Sequence, residues 1–129
     1  MSGTKADLIR YRISRAKDTL DDARILADNG KWNSAINRLY YAAYYAIIAL
    51  LLSDDYKPTT HNGVKSCFSV YFVKTGKIDK ESGKIFSQLF NWRQKGDYDD
   101  LFDFRKDTVL PYFEPVEKLI LEAERLIAE

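Results

Sequence analysis

The stretch Asn91-Trp92-Arg93-Gln94-Lys95-Gly96-Asp97-Tyr98 carries the most specific chemistry in the chain. It predicts a helix end that delivers Arg93, Gln94 and Lys95, followed by a turn that brings Asp97 and Tyr98 back beside them. A guanidinium is planar, permanently charged and donates through a fork that matches two phosphate oxygens, so Arg93 is a candidate phosphate ligand. The same residues have a structural reading: an arginine in the last turn of a helix favours the macrodipole, and Asp97 can pair with it. His61, in Thr-Thr-His-Asn-Gly, is the chain's one imidazole and the one side chain whose ordinary pKa lies near neutrality. It is a candidate for proton transfer, or else a capping or packing residue at a helix start. Four tyrosines out of nine, Tyr40, Tyr41, Tyr44 and Tyr45, crowd into one short run. Together with Asn37 and Arg38, Tyr41 and Tyr45 offer a hydrogen-bonding set for a helix–helix or subunit interface, or for a ligand pocket.

Other chemistries are excluded by what is missing. A single cysteine, Cys67, and a single histidine make neither an intramolecular disulfide nor a structural zinc site. There is no glycine-rich phosphate loop, no HExxH, no GxSxG and no Glu-x-x-His pair. The expectation is therefore no metal and no cofactor, in a reducing cytoplasm, with Cys67 in the core. The first fifteen residues interleave charged and apolar side chains and lack a signal-peptide core. The run Leu39–Leu52 is uncharged but shorter than the roughly 20 residues that span a bilayer, so it reads as a buried helix and no membrane is expected.

The elements that must position these residues are helical. The chain is 129 residues long, 46% hydrophobic and 30% charged, which fits one domain over 1–129. Ile9, Ile13, Ala16, Leu20, Ala23 and Ala27 alternate spacings of four and three, one buried stripe of a helix over Asp7–Asn29 that Asn29-Gly30 closes. A second helix covers Trp32–Ser53, with Ile36, Leu39, Ala43, Ala46, Ile47 and Leu50 on one face and Ser34, Asn37, Arg38, Tyr41, Tyr44 and Tyr45 on the other. A loop over Asp54–Thr60 precedes a third helix, Asn62–Lys74, with Thr59 or Thr60 as its cap. Gly76 breaks it, and a fourth helix runs over Ser82–Lys95 with Gly96 as its stop. After an acidic aromatic connector, Val116, Leu119, Ile120, Ala123, Leu126 and Ile127 mark the last helix, with Pro115 in its first turn and a separate helical turn before it. The architecture expected is all-α: an up-and-down bundle of four long helices plus a short helix.

A net charge of +1 hides segregation: residues 57–95 carry eight bases and two acids, net +6, and residues 96–129 carry four and ten, net −6. Such polarity means either an anion-binding face or a match between opposite charges within or between subunits, the second being the commoner case.

Taken in order, Asn-Arg-Leu-Tyr-Tyr-Ala-Ala-Tyr-Tyr, Thr-His-Asn-Gly, Phe-Val-Lys-Thr-Gly and Arg-x-x-x-Asp-Tyr resemble the HEPN superfamily, and within it the small stand-alone uncharacterised branch, over nearly the whole chain from about Asp7. The resemblance implies a helical bundle that usually dimerises, often encoded beside a minimal nucleotidyltransferase and in some members forming a toxin–antitoxin module. Active members are metal-independent ribonucleases that use an Arg, a polar residue and a His in a cleft between two subunits. Arg93 and Gln94 match the first two positions, but Tyr98 stands where the His would be. A phenol with a pKa of about 10 is a poor base at pH 7, whereas Arg93 still suits a phosphate.

The favoured expectation is thus a non-catalytic HEPN-like module that binds RNA, a nucleotide or a partner nucleotidyltransferase through Arg93–Tyr98 and the basic middle. One alternative is a metal-independent ribonuclease toxin, with Arg93 stabilising the phosphate and Tyr98, Asp97 or His61 aiding proton transfer. Another is a purely structural partner of the nucleotidyltransferase, with Tyr98 as its modification target. The aromatic polar face of the second helix predicts a homodimer.

Overall fold

Thr4 starts the first helix: its hydroxyl accepts from the Asp7 amide at 3.1 Å while the Asp7 carboxylate accepts from the Thr4 amide at 3.2 Å. The computed structural model describes residues 3–98 and 103–129, with side chains for all of these but 94–98. It comprises α1 (Lys5–Asp28), α2 (Trp32–Ser53), α3 (His61–Phe68) continuing into a π-helical turn (Ser69–Val73), α4 (Lys80–Tyr98), α5 (Lys106–Val109), a 3-10 turn (Leu110–Tyr112) and α6 (Phe113–Ala128). The long helices α1, α2, α4 and α6 with the short α3 form the all-α bundle expected from the sequence.

The centre is α2, which packs against α1, α3, α4 and α6. Its predicted apolar face is buried throughout, and Ala35, Tyr40, Ala42, Ala49, Leu51 and Leu52 are buried as well, so α2 is enveloped more completely than a two-faced wheel implies. Ala16 and Ala23 of α1 and Ala42, Ala46 and Ala49 of α2 have no exposed surface. Their small side chains let the helices of the core approach closely. By length and composition α2 could cross a bilayer, but 67% of its most apolar window is buried inside the bundle.

Two boundaries differ from expectation. The left-handed closures are at Gly30 (φ +70°) and Gly76 (φ +81°), whereas α4 runs straight through Gly96 to Tyr98. A glycine inside a helix costs only about 1 kcal/mol, which the anchoring of Phe86, Leu89 and Phe90 in the core outweighs. The turn expected after Gly96 is therefore replaced by helix. The third helix, expected over Asn62–Lys74, starts at His61 and ends at Val73, and its last turn widens to π geometry. Val73 there occupies the space above Gly83 of α4, where a Cβ would lie 2.9 Å from Val73 Cγ1.

The ion pairs decide what the segregated charge is for. The acidic α6 is answered by α1, through Lys17–Glu124 at 2.9 Å and Arg24–Glu117 at 2.5 Å. Lys118 pairs with Asp79 at 3.2 Å and Lys77 with Asp54 at 3.8 Å. Each such exposed pair contributes at most about 1 kcal/mol. Among the described residues, Lys65, Lys74, Lys80 and Lys84 form no salt bridge to a carboxylate. Among the described residues the carboxylates of α6 are thus matched by α1 rather than by these lysines, while the side chains of Asp97, Asp99 and Asp100 lie outside the described residues.

Gly83→Ala is expected to destabilise the fold. The β-branched Val73 yields poorly, and overpacking costs about 1–3 kcal/mol, against a helix-propensity gain of no more than about 1 kcal/mol. Thermal unfolding followed by circular dichroism should show a melting point several degrees lower; an unchanged or higher one would mean the notch over Gly83 is not tight.

Candidate functional site

Three elements meet around Tyr40. Its ring is fully buried, stacked on Phe86 of α4 at 5.6 Å and 13° and edge-on to Phe90. Its hydroxyl lies 2.8 Å from His61 Nδ1. Thr60 places that histidine: its hydroxyl accepts from the Gly63 amide at 2.9 Å, so Thr60 caps α3 and His61 becomes the first helical residue. His61 therefore does not cap. Its ring stacks on Tyr44 at 4.7 Å and meets Tyr41 edge-on at 6.0 Å.

Arg93 comes to the same tyrosines from α4. Its Nε donates to Tyr41 Oη at 3.1 Å, and its guanidinium lies 5.7 Å from the centroids of both Tyr40 and Tyr41. The Tyr40–Tyr41 pair thus joins the chain's one imidazole to the arginine singled out by the sequence. Arg38 extends the group, lying over Tyr41 at 5.0 Å and donating to Asn37 Oδ1 through Nε at 3.1 Å and Nη2 at 2.8 Å. Tyr45 stands at the edge, 6.2 Å from Tyr41, with Arg15 of α1 over its ring at 5.2 Å. The side chains of Gln94, Lys95, Asp97 and Tyr98 lie outside the described residues.

Protonation follows from burial and charge. Burial pushes the Tyr40 phenol far above its usual value, and burial with the neighbouring Tyr41 raises Tyr44. His61 is held below its ordinary value, first by burial and then by the positive charge of Arg93. At pH 7 the cluster therefore contains neutral phenols, a neutral imidazole and a permanent cation. A buried hydroxyl must place its proton, and Nδ1 is the acceptor that the described residues offer Tyr40. On this assignment from the hydrogen-bond network, the imidazole proton sits on Nε2. His61 on this assignment carries an N–H donor on Nε2 and lies within the electrostatic reach of the Arg93 guanidinium.

Sequence reasoning placed Arg93, His61, Tyr41, Arg38, Asn37 and Tyr45 among the candidates, and the fold brings these into one neighbourhood. It missed Tyr40 as the link, Tyr44 as the stacking partner, and Arg15 of α1. The i, i+4 spacing of Tyr40 and Tyr44 was the available signal. Trp92, next to Arg93 in the chain, packs against Tyr112 at 4.9 Å and Phe104 at 5.7 Å.

Comparison with known proteins gives a family. The model for the HEPN domain matches residues 9–129. A Thermotoga maritima protein named "UPF0332 protein" is 39% identical, over 97% of this chain and 95% of its own length. Two Methanocaldococcus jannaschii proteins named "Putative toxin" are 35% identical over 92% of this chain and 83% of their own, and 32% identical over 74% and 65%, respectively.

Arg93→Ala is expected to raise the His61 pKa, since removing the neighbouring positive charge relieves the imidazolium while burial still holds the value below about 6.5. Titration of the imidazole C–H protons by NMR checks this, with Arg93→Lys as the charge-retaining control. An unmoved pKa in Arg93→Ala would contradict the electrostatic coupling.

Proposed function

Because this chain belongs to the HEPN family, we propose that it is an RNA-binding HEPN module in which Arg93 and His61 hold a backbone phosphate without cleaving it. The observation that carries this reading is the convergence of Arg93 and His61 on the Tyr40–Tyr41 pair, a cation and a neutral N–H donor at one place. The unpaired lysines lead to it. Lys65 lies one turn after His61 on α3, with its Nζ 4.7 Å from the centroid of Phe90, itself one turn before Arg93. Beyond it, Lys74, Lys80 and Lys84 border a groove of about 590 Å³ between the π turn and α4. A polyanion lying in that groove meets uncompensated positive charge along its length.

Cleavage by attack of a ribose 2′-hydroxyl needs a base for that proton. The ribonuclease alternative gains a nearby imidazole, but one whose Nδ1 is taken by Tyr40 and whose Nε2 carries a proton. Binding asks nothing more of His61 than the donor it has. The names of the two Methanocaldococcus jannaschii relatives support a place in a toxin–antitoxin module, and the homodimer and nucleotidyltransferase partner implied by the resemblance belong to the same proposal.

Fluorescence anisotropy with a labelled mixed-sequence single-stranded RNA tests it. Arg93→Ala should weaken binding about tenfold or more, as truncating one side of a charged hydrogen-bonded pair does; unchanged affinity would sink the reading. Affinity should also fall steeply with salt, with each of Lys65→Ala, Lys80→Ala and Lys84→Ala reducing the log–log slope by roughly 0.7–1. A salt-independent affinity would contradict a role for the lysine groove.

A further inference from the structure

Tyr44 belongs to two places. Its ring stacks on His61, and it also lines a cavity of about 630 Å³ between the start of α1, the C-terminal half of α2 and the 54–60 loop. That volume lies within the roughly 300–1,000 Å³ of small-ligand sites. Leu8 and Ile48 give the cavity apolar surface, and Tyr56 adds an aromatic ring. Its wall also holds three cations: Lys5, which pairs with Asp55 at 2.7 Å, Lys57, which acts on the same carboxylate from a distance, and Arg12, for which the described residues supply no carboxylate partner. Arg12 is half-buried and pinned, its Nη1 donating to the Ile48 carbonyl at 3.2 Å, which fixes the guanidinium without using most of its donors. Both Arg12 and Arg93 act electrostatically on the Tyr44 phenol.

An apolar recess with aromatic walls suits a planar base, and cations at its rim suit phosphate. We propose that this cavity is a nucleotide subsite: it takes the base and ribose of the nucleotide adjoining the phosphate held at Arg93 and His61, while Arg12 and Lys57 meet the next phosphate. The inference rests on the phosphate reading of Arg93 and His61 and adds a substrate class to it. A base enters such a recess only when it is unstacked and unpaired, so the ligand is single-stranded RNA and a duplex is refused.

Leu8→Trp and Arg12→Gln test the subsite. Leu8 is 41% exposed, so a larger side chain there can fill the cavity from its rim without repacking the core. Anisotropy should show the wild type preferring a single-stranded RNA about tenfold or more over its own duplex. Each variant should lower single-strand affinity to the duplex level and leave duplex binding unchanged. Single-strand affinity retained in both variants, or an equal loss for both RNAs, would overturn the subsite. Should Leu8→Trp melt at a markedly lower temperature, Arg12→Gln decides by the same criteria. Arg93→Ala separates the two levels of the argument: RNA binding kept in Arg93→Ala defeats the phosphate site itself, whereas binding lost there but kept in Leu8→Trp and Arg12→Gln defeats the subsite alone. AMP distinguishes a strand from a free nucleotide. Displacement of the single-stranded RNA by AMP, abolished in Leu8→Trp, supports the proposal; Leu8-sensitive AMP binding that leaves RNA bound overturns the RNA assignment in favour of a free nucleotide.

Discussion

The site depends on one hydrogen bond, from the buried Tyr40 hydroxyl to His61 Nδ1. A phenol with no exposed surface cannot use water, and losing a partner for such a group costs about 1–3 kcal/mol. The core therefore holds the imidazole in place, and the imidazole in turn ties the start of α3 to the middle of α2. The same bond fixes which ring nitrogen carries the proton. Stability and chemistry meet in that contact: with Nδ1 accepting from Tyr40, the imidazole proton is assigned to Nε2, the donor that the proposed phosphate site uses.

Charge is organised around the same point. The acidic α6 is matched by Lys17 and Arg24 of α1, on the side of the bundle where helices need register. Lys65 of α3, Lys74 just after the π turn, and Lys80 and Lys84 at the start of α4 form no salt bridge among the described residues, and they border the groove beside α4. The near-neutral total is the sum of an acidic helix matched by α1 and a basic middle whose unpaired lysines the proposal assigns to an anion. The π turn contributes by carrying Val73 into the notch over Gly83, which holds the lysine-bearing segments against each other.

Periodicity made the helices legible, because the apolar stripes of α1, α2 and α6 need only local spacing to be seen; α2 begins and ends at the expected residues. The end of α4 was misjudged because Gly96 carries no information on whether neighbouring packing will hold it in a helix. In the site, Arg93 and His61 could be picked out by chemical type, but their proximity could not: they lie on different helices and are joined through Tyr41 and through Tyr40, a residue that the wheel assigned to neither face. The cavity beside Arg12 was invisible for the same reason, being formed by the start of α1, the end of α2 and a loop together. Residues that act through their own chemistry show in a sequence, whereas residues that act by placing others show only when the chain is folded.

The central claim is that this arrangement holds a phosphate and does not break it. The most direct test incubates the purified protein with an end-labelled mixed-sequence RNA in EDTA, with Arg93→Ala prepared in parallel to report contaminating nuclease. The account predicts intact RNA in both samples, shifted into a complex by the wild type alone. Fragments ending in a 2′,3′-cyclic phosphate, formed by the wild type and absent with Arg93→Ala, would contradict it and would mean that the cluster around Tyr40 supplies a base after all.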